Sequence, residues 1–232
     1  MQGQTQKNKA LRKIRTMRYF IDAARDIIAA QGVEAVNIRD VATKAGYSSG
    51  SIYEYFVSID ELIAFATIDG IYDFLGEIAA HVTNETDPLE VYIMTWYFFS
   101  LHAFRQPNLY EKVIPIYGKN IVPFFQKYYE LFPHERSDFP GQLIESFFAL
   151  DRRARDHTML LKCVEKGYFR QEDVEDISKM INAEFLGCIK FRCIEQDDFN
   201  SRLFIDMIKK TMLGYNAELA PVLNAIVMRD PY

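Results

Sequence analysis

Cysteine and long apolar runs are both scarce in this sequence of 232 residues. Its three cysteines, Cys163, Cys188 and Cys193, form no CxxC pair, which argues against a disulfide framework and indicates a reducing compartment. The longest stretch without Asp, Glu, Lys or Arg is 14 residues, Val91–Phe104, and a membrane-spanning helix needs about 18 or more. Basic residues interrupt any signal-peptide core near the start of the chain. We therefore expect a cytoplasmic protein with no membrane partner.

The sequence also lacks the motifs of common catalytic and cofactor sites. It contains no GxGxxG, Walker A, GxSxG or HExxH string, and no Glu-x-x-His pair of a di-iron bundle. Cys188 and Cys193 are five positions apart, so on a helix they point about 140° apart and suit a shared metal poorly. We expect no catalytic residues, no metal and no cofactor, and hence a protein that is not an enzyme.

Proline is absent before Pro88, whereas five of the eight prolines lie between Pro107 and Pro140. Proline interrupts helices, so this distribution predicts nearly continuous helix in the first 87 residues and shorter helices in the middle. No segment alternates convincingly between apolar and polar residues. The sequence therefore predicts an all-α protein.

The N-terminal region carries start and stop signals for four helices. Apolar residues at spacings of three and four predict a first helix over 11–31, which Gly32 would end. Asn37 is the predicted cap of a short second helix that ends at Gly46. Ser48 is the candidate cap of a third helix over 49–56, and a capping box at Ser58 and Glu61 opens a fourth over 59–82.

Two short helices around a glycine turn, braced by a longer helix, are typical of a helix-turn-helix motif. Gly46 tolerates the positive φ that such a turn needs. Small polar residues at 48–51 would let the start of the second helix approach DNA closely. Ile52 and Phe56, four residues apart, would anchor that helix on its brace.

The string from Ile38 to Phe56, IRDVATKAGYSSGSIYEYF, with Ser58 and Glu61-Leu62 after it, closely resembles the DNA-binding domain of the TetR family of bacterial transcriptional regulators. The segment Ile-Tyr-x-Tyr-Phe at 52–56 is its most specific part. The resemblance covers about residues 15–65. It implies an N-terminal three-helix domain and a larger C-terminal helical domain that binds an effector and forms the dimer.

The resemblance implies that Tyr53 contacts a phosphate and that Ser49, Gly50 and Ser51 face the major groove. Arg39 would reach a base or the backbone, with an ion pair to Asp40 or Asp22 as the alternative, and Lys44 is either a phosphate neighbour or a solvated lysine. Ile59 and Glu54 depart from the family pattern, because a lysine and a neutral or basic residue are common there. The candidate DNA-binding residues are Asn37, Arg39, Lys44, Ser48, Ser49, Gly50, Ser51, Tyr53 and Tyr55.

The net charge of −5 conceals an asymmetry. Residues 1–18 carry six Lys and Arg and no acid, which leaves 21 positive and 32 negative residues in the remainder. A basic arm on an acidic body suits a polyanion at one end only. The alternative is a solvated, disordered tail.

Aromatic residues are concentrated in the middle of the chain, where 16 of the 33 lie between Tyr92 and Phe148. This density indicates a cavity with aromatic walls, and the resemblance also places an effector pocket in this region. Simple core packing is the alternative, and His102 fits a core histidine as well as a ligand contact. The candidate pocket residues are Trp96, Phe99, His102, Tyr117, Phe124 and Tyr128.

Two late helices present broad apolar faces that suit a four-helix dimer seam, as in the family. Ala183 and Gly187, four residues apart, would permit close helix crossing. Burial inside one subunit would explain much of the same pattern. The candidate interface residues are Ile177, Ile181, Ala183, Phe185, Gly187, Cys188, Phe204, Met207, Ile208 and Thr211.

Together these features predict two domains, residues 1–58 for DNA binding and 59–232 for effector binding and dimerisation. The predicted protein is a homodimeric regulator, a repressor of a palindromic operator, that a small apolar or aromatic effector releases from DNA. A helical enzyme and a protein-binding adaptor are the alternatives. The adaptor would leave the serine-rich helix start and the basic arm unexplained.

Overall fold

The computed structural model describes residues 2–132, 152–195 and 200–228, and the regular elements in these ranges are all helical, which confirms the all-α prediction. Short 3-10 turns at Val33–Ala35, Gln171–Asp173 and Ala217–Leu219 connect some of the helices. Within these ranges no helix is both long and apolar enough to cross a membrane. The helices are α1 (Gln2–Gln31), α2 (Ile38–Ala45), α3 (Ser49–Ile52), α4 (Ile59–Ala79), α5 (Pro88–Arg105), α6 (Pro107–Leu131), α7 (Arg152–Glu165), α8 (Val174–Glu195), α9 (Ser201–Tyr215) and α10 (Ala220–Ala225).

The described residues form two compact units. Unit 1 holds those of 1–69 and 125–136, and unit 2 holds those of 70–124 and 137–232. The chain passes between the units inside α4 and again inside α6. The division into 1–58 and 59–232 follows the end of the helix-turn-helix motif instead, and as a division of function it stays a prediction.

Helix α1 is nine residues longer than its apolar stripe predicted, because it begins at Gln2 and not at Leu11. Six of residues 2–10 are Gln, Lys or Ala, which favour a helix, and no proline interrupts the segment. The periodicity predicts only the part of a helix that packs on a core, so it missed this extension. The backbone of the basic arm is therefore helical, unlike the disordered tail that the sequence left open as an alternative.

The core of unit 1 forms where α1 meets the helix-turn-helix and the start of α4. Met17, Phe20 and Ile21 are at most 1% exposed, as their spacing predicted. The Phe20 ring lies 6.4 Å from that of Phe56, which in turn lies 5.6 Å from Phe65. This aromatic chain joins the first helix, the end of the motif and the fourth helix into one folded body.

Unit 2 is built around α5, which packs against α7, α8 and α9. The Asp87 carboxylate caps α5 by accepting a hydrogen bond from the Leu89 amide at 2.9 Å, and Pro88 occupies the first turn, where no amide donor is needed. Eleven residues of α5 are buried, so the helix is apolar on nearly every side. A helix of this kind suits the centre of a bundle.

Candidate nucleic-acid interface and effector region

The turn of the helix-turn-helix has the geometry that its sequence predicts. The Asn37 side chain caps α2 by accepting a hydrogen bond from the Asp40 amide at 3.0 Å. Gly46 adopts the left-handed conformation, with φ of 79°, and its amide bonds to the carbonyls of Ala42 and Thr43. Asn37 also donates to the Asp40 carboxylate at 2.7 Å, so its side chain is engaged inside the motif.

The second helix of the motif is shorter than predicted. Helix α3 covers Ser49–Ile52, and a turn follows in which the amides of Glu54 and Tyr55 donate to carbonyls three residues back. Ser48 occupies the cap position, but its hydroxyl bonds to that of Ser51 at 2.8 Å and caps no amide. Ser48, Ser49 and Gly50 are exposed and Ser51 is half-buried, so this end of α3 is polar and open.

The two tyrosines of the segment 52–56 differ in their exposure to solvent. Tyr53 is 62% exposed, which leaves its hydroxyl free to reach a phosphate. Tyr55 is half-buried, and its ring lies 5.7 Å from that of Phe20. Ile52 and Phe56 are at most 1% exposed, in agreement with their predicted role as anchors.

The candidate cations lie on the surface of unit 1. Among the described residues Arg39 makes no ion pair, and Asp22 and Asp40, its suggested partners, contact Arg25 and Asn37. Lys44 pairs with Asp26 at 3.0 Å in an exposed pair, which is weak enough to be exchanged for a phosphate.

The basic arm adds further surface charge. Lys9, Arg12, Lys13 and Arg15 are all exposed. The first three fall within about 100° of one another around the helix axis. Arg18 differs, because its guanidinium lies over the Phe132 ring at 3.9 Å. The arm therefore presents a cationic face up to residue 15.

The predicted pocket residues fall into three groups. Trp96, Phe99 and His102 lie along α5, where the Trp96 and Phe99 rings are 6.1 Å apart and His102 bonds to Glu77 at 2.9 Å. Tyr128 lies in unit 1, where it packs against Phe65 and Phe132. The side chains of Tyr117 and Phe124 lie outside the described residues.

A buried carboxylate lies beside Trp96 that the sequence analysis did not single out. Asp156 of α7 is 4% exposed and accepts hydrogen bonds from the Tyr92 hydroxyl at 2.7 Å and from Trp96 Nε1 at 3.3 Å. Asn182 of α8 donates to its other oxygen at 3.1 Å. Burial and the nearby Asp156 charge raise the pKa of Tyr92 well above its usual value, so this phenol stays protonated. We call Asp156, Tyr92, Trp96 and Asn182 the polar cluster.

A separate groove lies on the surface of unit 2. Its volume is about 630 Å³ and its walls mix acids and bases, so it does not match the aromatic-walled cavity that the sequence predicts. Its lining residues are Asn84, Glu85, Thr86, Asp87, Pro88, Lys162, Glu165 and Lys166.

Many of the predicted interface residues are buried inside the single chain. This is the alternative that the apolar pattern left open, and a side chain buried in its own subunit offers little surface to a partner. Ala183 is exposed, and Gly187, Met207 and Thr211 are half-buried. The buried ones are Ile177, Ile181, Phe185, Cys188, Phe204 and Ile208.

A different face of the late helices exposes apolar residues. Met180, Phe191 and Ile194 of α8 are 47%, 54% and 66% exposed, and at 100° per residue they share one stripe with Ala183 and Gly187. On α9, Leu203 is 44% exposed. The buried face of α8 has the stronger apolar periodicity, and this pattern hides the exposed stripe in the sequence.

Comparison with known proteins finds a match for the N-terminal region first. Residues 20–65 match the family model described as bacterial regulatory proteins, tetR family. An HTH-type transcriptional repressor, KstR2 of Rhodococcus jostii (strain RHA1), is 32% identical over 82 residues, which are 34% of this chain. The chain spans 40% of the length of that relative.

Solved structures extend the likeness to the whole fold. RolR in complex with resorcinol has a TM-score of 0.61 at 19% identity, over 96% of this chain and 100% of that one. FadR of Thermus thermophilus in complex with lauroyl-CoA, described as a TetR-family repressor, has a TM-score of 0.57 at 12% identity, over 93% and 98% of the two chains. Both KstR2 and this FadR are described as transcriptional repressors. The family model and the curated relative confirm the resemblance of the N-terminal region to the TetR family, and the solved structures show a shared fold.

Proposed function

We propose that this protein is a ligand-responsive transcriptional repressor that binds a palindromic DNA operator as a homodimer in the cytoplasm and is released by a small, largely apolar or aromatic effector. The observation that carries the proposal is the open polar end of α3, with the exposed Tyr53 beside it, on a motif that matches the TetR family.

The contacts to DNA divide into positioning and readout. Tyr53, Lys44, Arg39 and the basic arm are available to phosphates, which fix orientation and carry no sequence information. Ser49, Gly50 and Ser51 are placed to face base edges in the major groove. Asn37 and Tyr55 act more through the shape of the motif, since both contact residues within it.

The exposed stripe on α8 supports the homodimer. Small residues at Ala183 and Gly187 allow two helices to approach closely, and Met180 and Phe191 supply apolar area on either side. A seam of this kind on α8 and α9 would form a four-helix interface with a second copy. The two copies would then present two recognition helices to one palindrome.

Release from DNA requires an effector that binds the free conformation better than the operator-bound one. Helix α4 begins in the DNA-binding unit and ends in unit 2, so a change in its course would move the recognition helices. Two glycines in α4, at 70 and 76, lower its stiffness.

Binding to operator DNA at several salt concentrations tests the DNA contacts. Three or four phosphate contacts per subunit predict a slope of about −5 to −7 in a plot of log K against log salt. Half-sites about 34–36 Å apart would place both recognition helices in successive major grooves. A monomer that binds specific DNA as tightly as the dimer would contradict the proposal.

Sedimentation of two α8 variants tests the dimer. Phe191→Glu places a charge on the exposed stripe, and we expect it to shift the protein to monomer. Leu186→Glu is the matched control, because Leu186 is also exposed, at 41%, but lies about 140° from Phe191 around α8. Equal behaviour of both variants would remove the stripe from the interface.

A further inference from the structure

We propose that the effector is a hydroxylated aromatic compound of the phenol class, whose hydroxyl group donates to Asn182 Oδ1 beside Asp156 and whose ring lies among the aromatic side chains of α5, α8 and α9. This deepens the proposed function by naming the ligand class, and its role as effector rests on that function. Binding itself is measured without DNA.

The first observation is an unused acceptor next to a buried carboxylate. Asn182 is 7% exposed, and its amide nitrogen donates to Asp156 Oδ2 at 3.1 Å and to the Ser178 carbonyl at 2.8 Å. Both partners are acceptors, so the nitrogen must face them and the orientation of the amide is fixed. Asn182 Oδ1 has no hydrogen-bond partner among the described residues.

An unsatisfied buried acceptor destabilises a protein, so a position of this kind needs an explanation. The oxygen accepts only, and the carboxylate beside it also accepts. The missing group is therefore a donor, either O–H or N–H.

The second observation is the aromatic wall around the polar cluster. The Trp96 ring lies 5.3 Å from Phe185 and 5.7 Å from Phe204, and the Phe104 and Phe185 rings stack at 6.0 Å. Aromatic rings at these separations favour tilted or offset contacts with another ring. An aromatic compound that carries a hydrogen-bond donor would pack against these rings and donate to Asn182 Oδ1.

The polar cluster is closed in this conformation, because each of its four residues is less than one tenth exposed. A ring can therefore enter only when side chains of α5 and α8 move apart. A ligand that binds only the opened conformation has the differential affinity that a switch requires. Its binding would couple occupancy to the packing of α5, the central helix of unit 2.

The test uses the full-length protein and the fluorescence of Trp96, the one tryptophan of the chain. We expect resorcinol to quench or shift this fluorescence and to raise the melting temperature. The matched ligand 1,3-dimethoxybenzene has the same ring but no donor, and we expect it to bind at least tenfold more weakly. Equal binding of the two, binding of neither, or stabilisation by lauroyl-CoA alone would overturn the proposal.

Two variants separate the ligand site from general stability. Asn182→Leu removes the acceptor, and we expect it to lose at least tenfold in resorcinol affinity while binding dimethoxybenzene as well as the original protein does. Ser178→Ala is the control that keeps Asn182 Oδ1, and we expect it to keep the preference for resorcinol. If Asn182→Leu fails to fold, Tyr92→Phe, which removes a donor to Asp156 and leaves the acceptor in place, should still prefer resorcinol. Loss of that preference would overturn the proposal.

Operator binding then distinguishes the two proposals. Resorcinol binding without release of DNA would leave the phenol site standing and remove its role as effector site. Operator binding by a dimer that no arene stabilises would leave the DNA-binding function standing and overturn the phenol site.

Discussion

The helix-turn-helix and the polar cluster are two sites built on opposite principles. The first is exposed and lies within residues 37–53 of the chain, whereas the second is buried and joins Tyr92 to a carboxylate 64 residues away. Exposed side chains such as Tyr53 can serve a partner without holding the fold. Buried ones such as Asp156 do both, so function and stability are coupled there. The contrast teaches which substitutions separate binding from folding.

The largest expected effect is on stability, and it tests whether helix caps can hold the helix-turn-helix folded without its aromatic core. Phe56→Ala removes a side chain that is 1% exposed and packs between Phe20 and Phe65, so the free energy of unfolding should fall by about 3–5 kcal/mol. Urea unfolding measures this, and DNA binding should be lost with it. Val57→Ala, at a position 85% exposed, is the control and should change stability by less than about 0.5 kcal/mol. A stable Phe56→Ala protein would mean that the caps suffice.

The next effect is on binding and not on folding. Tyr53→Phe removes one hydrogen bond to a phosphate, so affinity should fall by about 1–2 kcal/mol for operator and random DNA alike. The melting temperature should stay the same, because the residue is 62% exposed. Glu54→Gln is the control, and it should raise DNA affinity because it removes a negative charge that repels phosphates. A change in base preference by Tyr53→Phe would assign readout to this residue.

A third substitution separates backbone conformation from contact. Gly46→Ala forces a Cβ into the left-handed conformation at φ of 79° and should destabilise the protein by about 1–2 kcal/mol. Gly50→Ala is matched, because neither glycine has an atom within 4 Å of the added Cβ and Gly50 has no positive φ. Thermal unfolding should show a loss for Gly46→Ala only. DNA binding by Gly50→Ala then reports how closely α3 approaches the groove.

The smallest effect concerns a surface ion pair. Lys44→Met breaks the pair with Asp26, and stability should change by no more than about 0.5 kcal/mol. If Lys44 contacts a phosphate, the slope of log K against log salt should become smaller in magnitude by about one unit per subunit. An unchanged slope would identify Lys44 as a solvated lysine.

The motif was predictable because its signals are local. The caps at Asn37 and Ser58 accept hydrogen bonds from amides three residues later, and Gly46 supplies a conformation that few other residues adopt. Each signal depends on neighbours along the chain, so each can be recognised in the sequence. The capping box departs from the usual pattern at Glu61. Its carboxylate accepts a hydrogen bond from the Val57 amide at 2.6 Å, one residue before the usual donor, the amide of Ser58.

The rest of the fold depended on contacts between distant residues. Apolar periodicity located both late helices but could not say whether Ile177 faces its own subunit or a partner. The polar cluster needs α5, α7 and α8 together, and an isolated Asp or Asn inside a helix carries no local mark of burial. Tyr128 illustrates the same difficulty, since only the fold shows that it belongs to unit 1.

The helical arm at the start of α1 has a consequence for how this region can vary in length. A flexible tail tolerates insertions freely, whereas charges on a continuous helix keep a fixed phase relative to the motif. One residue inserted between Ala10 and Leu11 would rotate Lys9 by about 100° relative to the motif and shift it by about 1.5 Å along the helix. Four inserted residues would nearly restore its direction, because 3.6 residues complete a turn. Lengths of this arm that preserve its phase, and not merely its charge, should therefore be the ones that function.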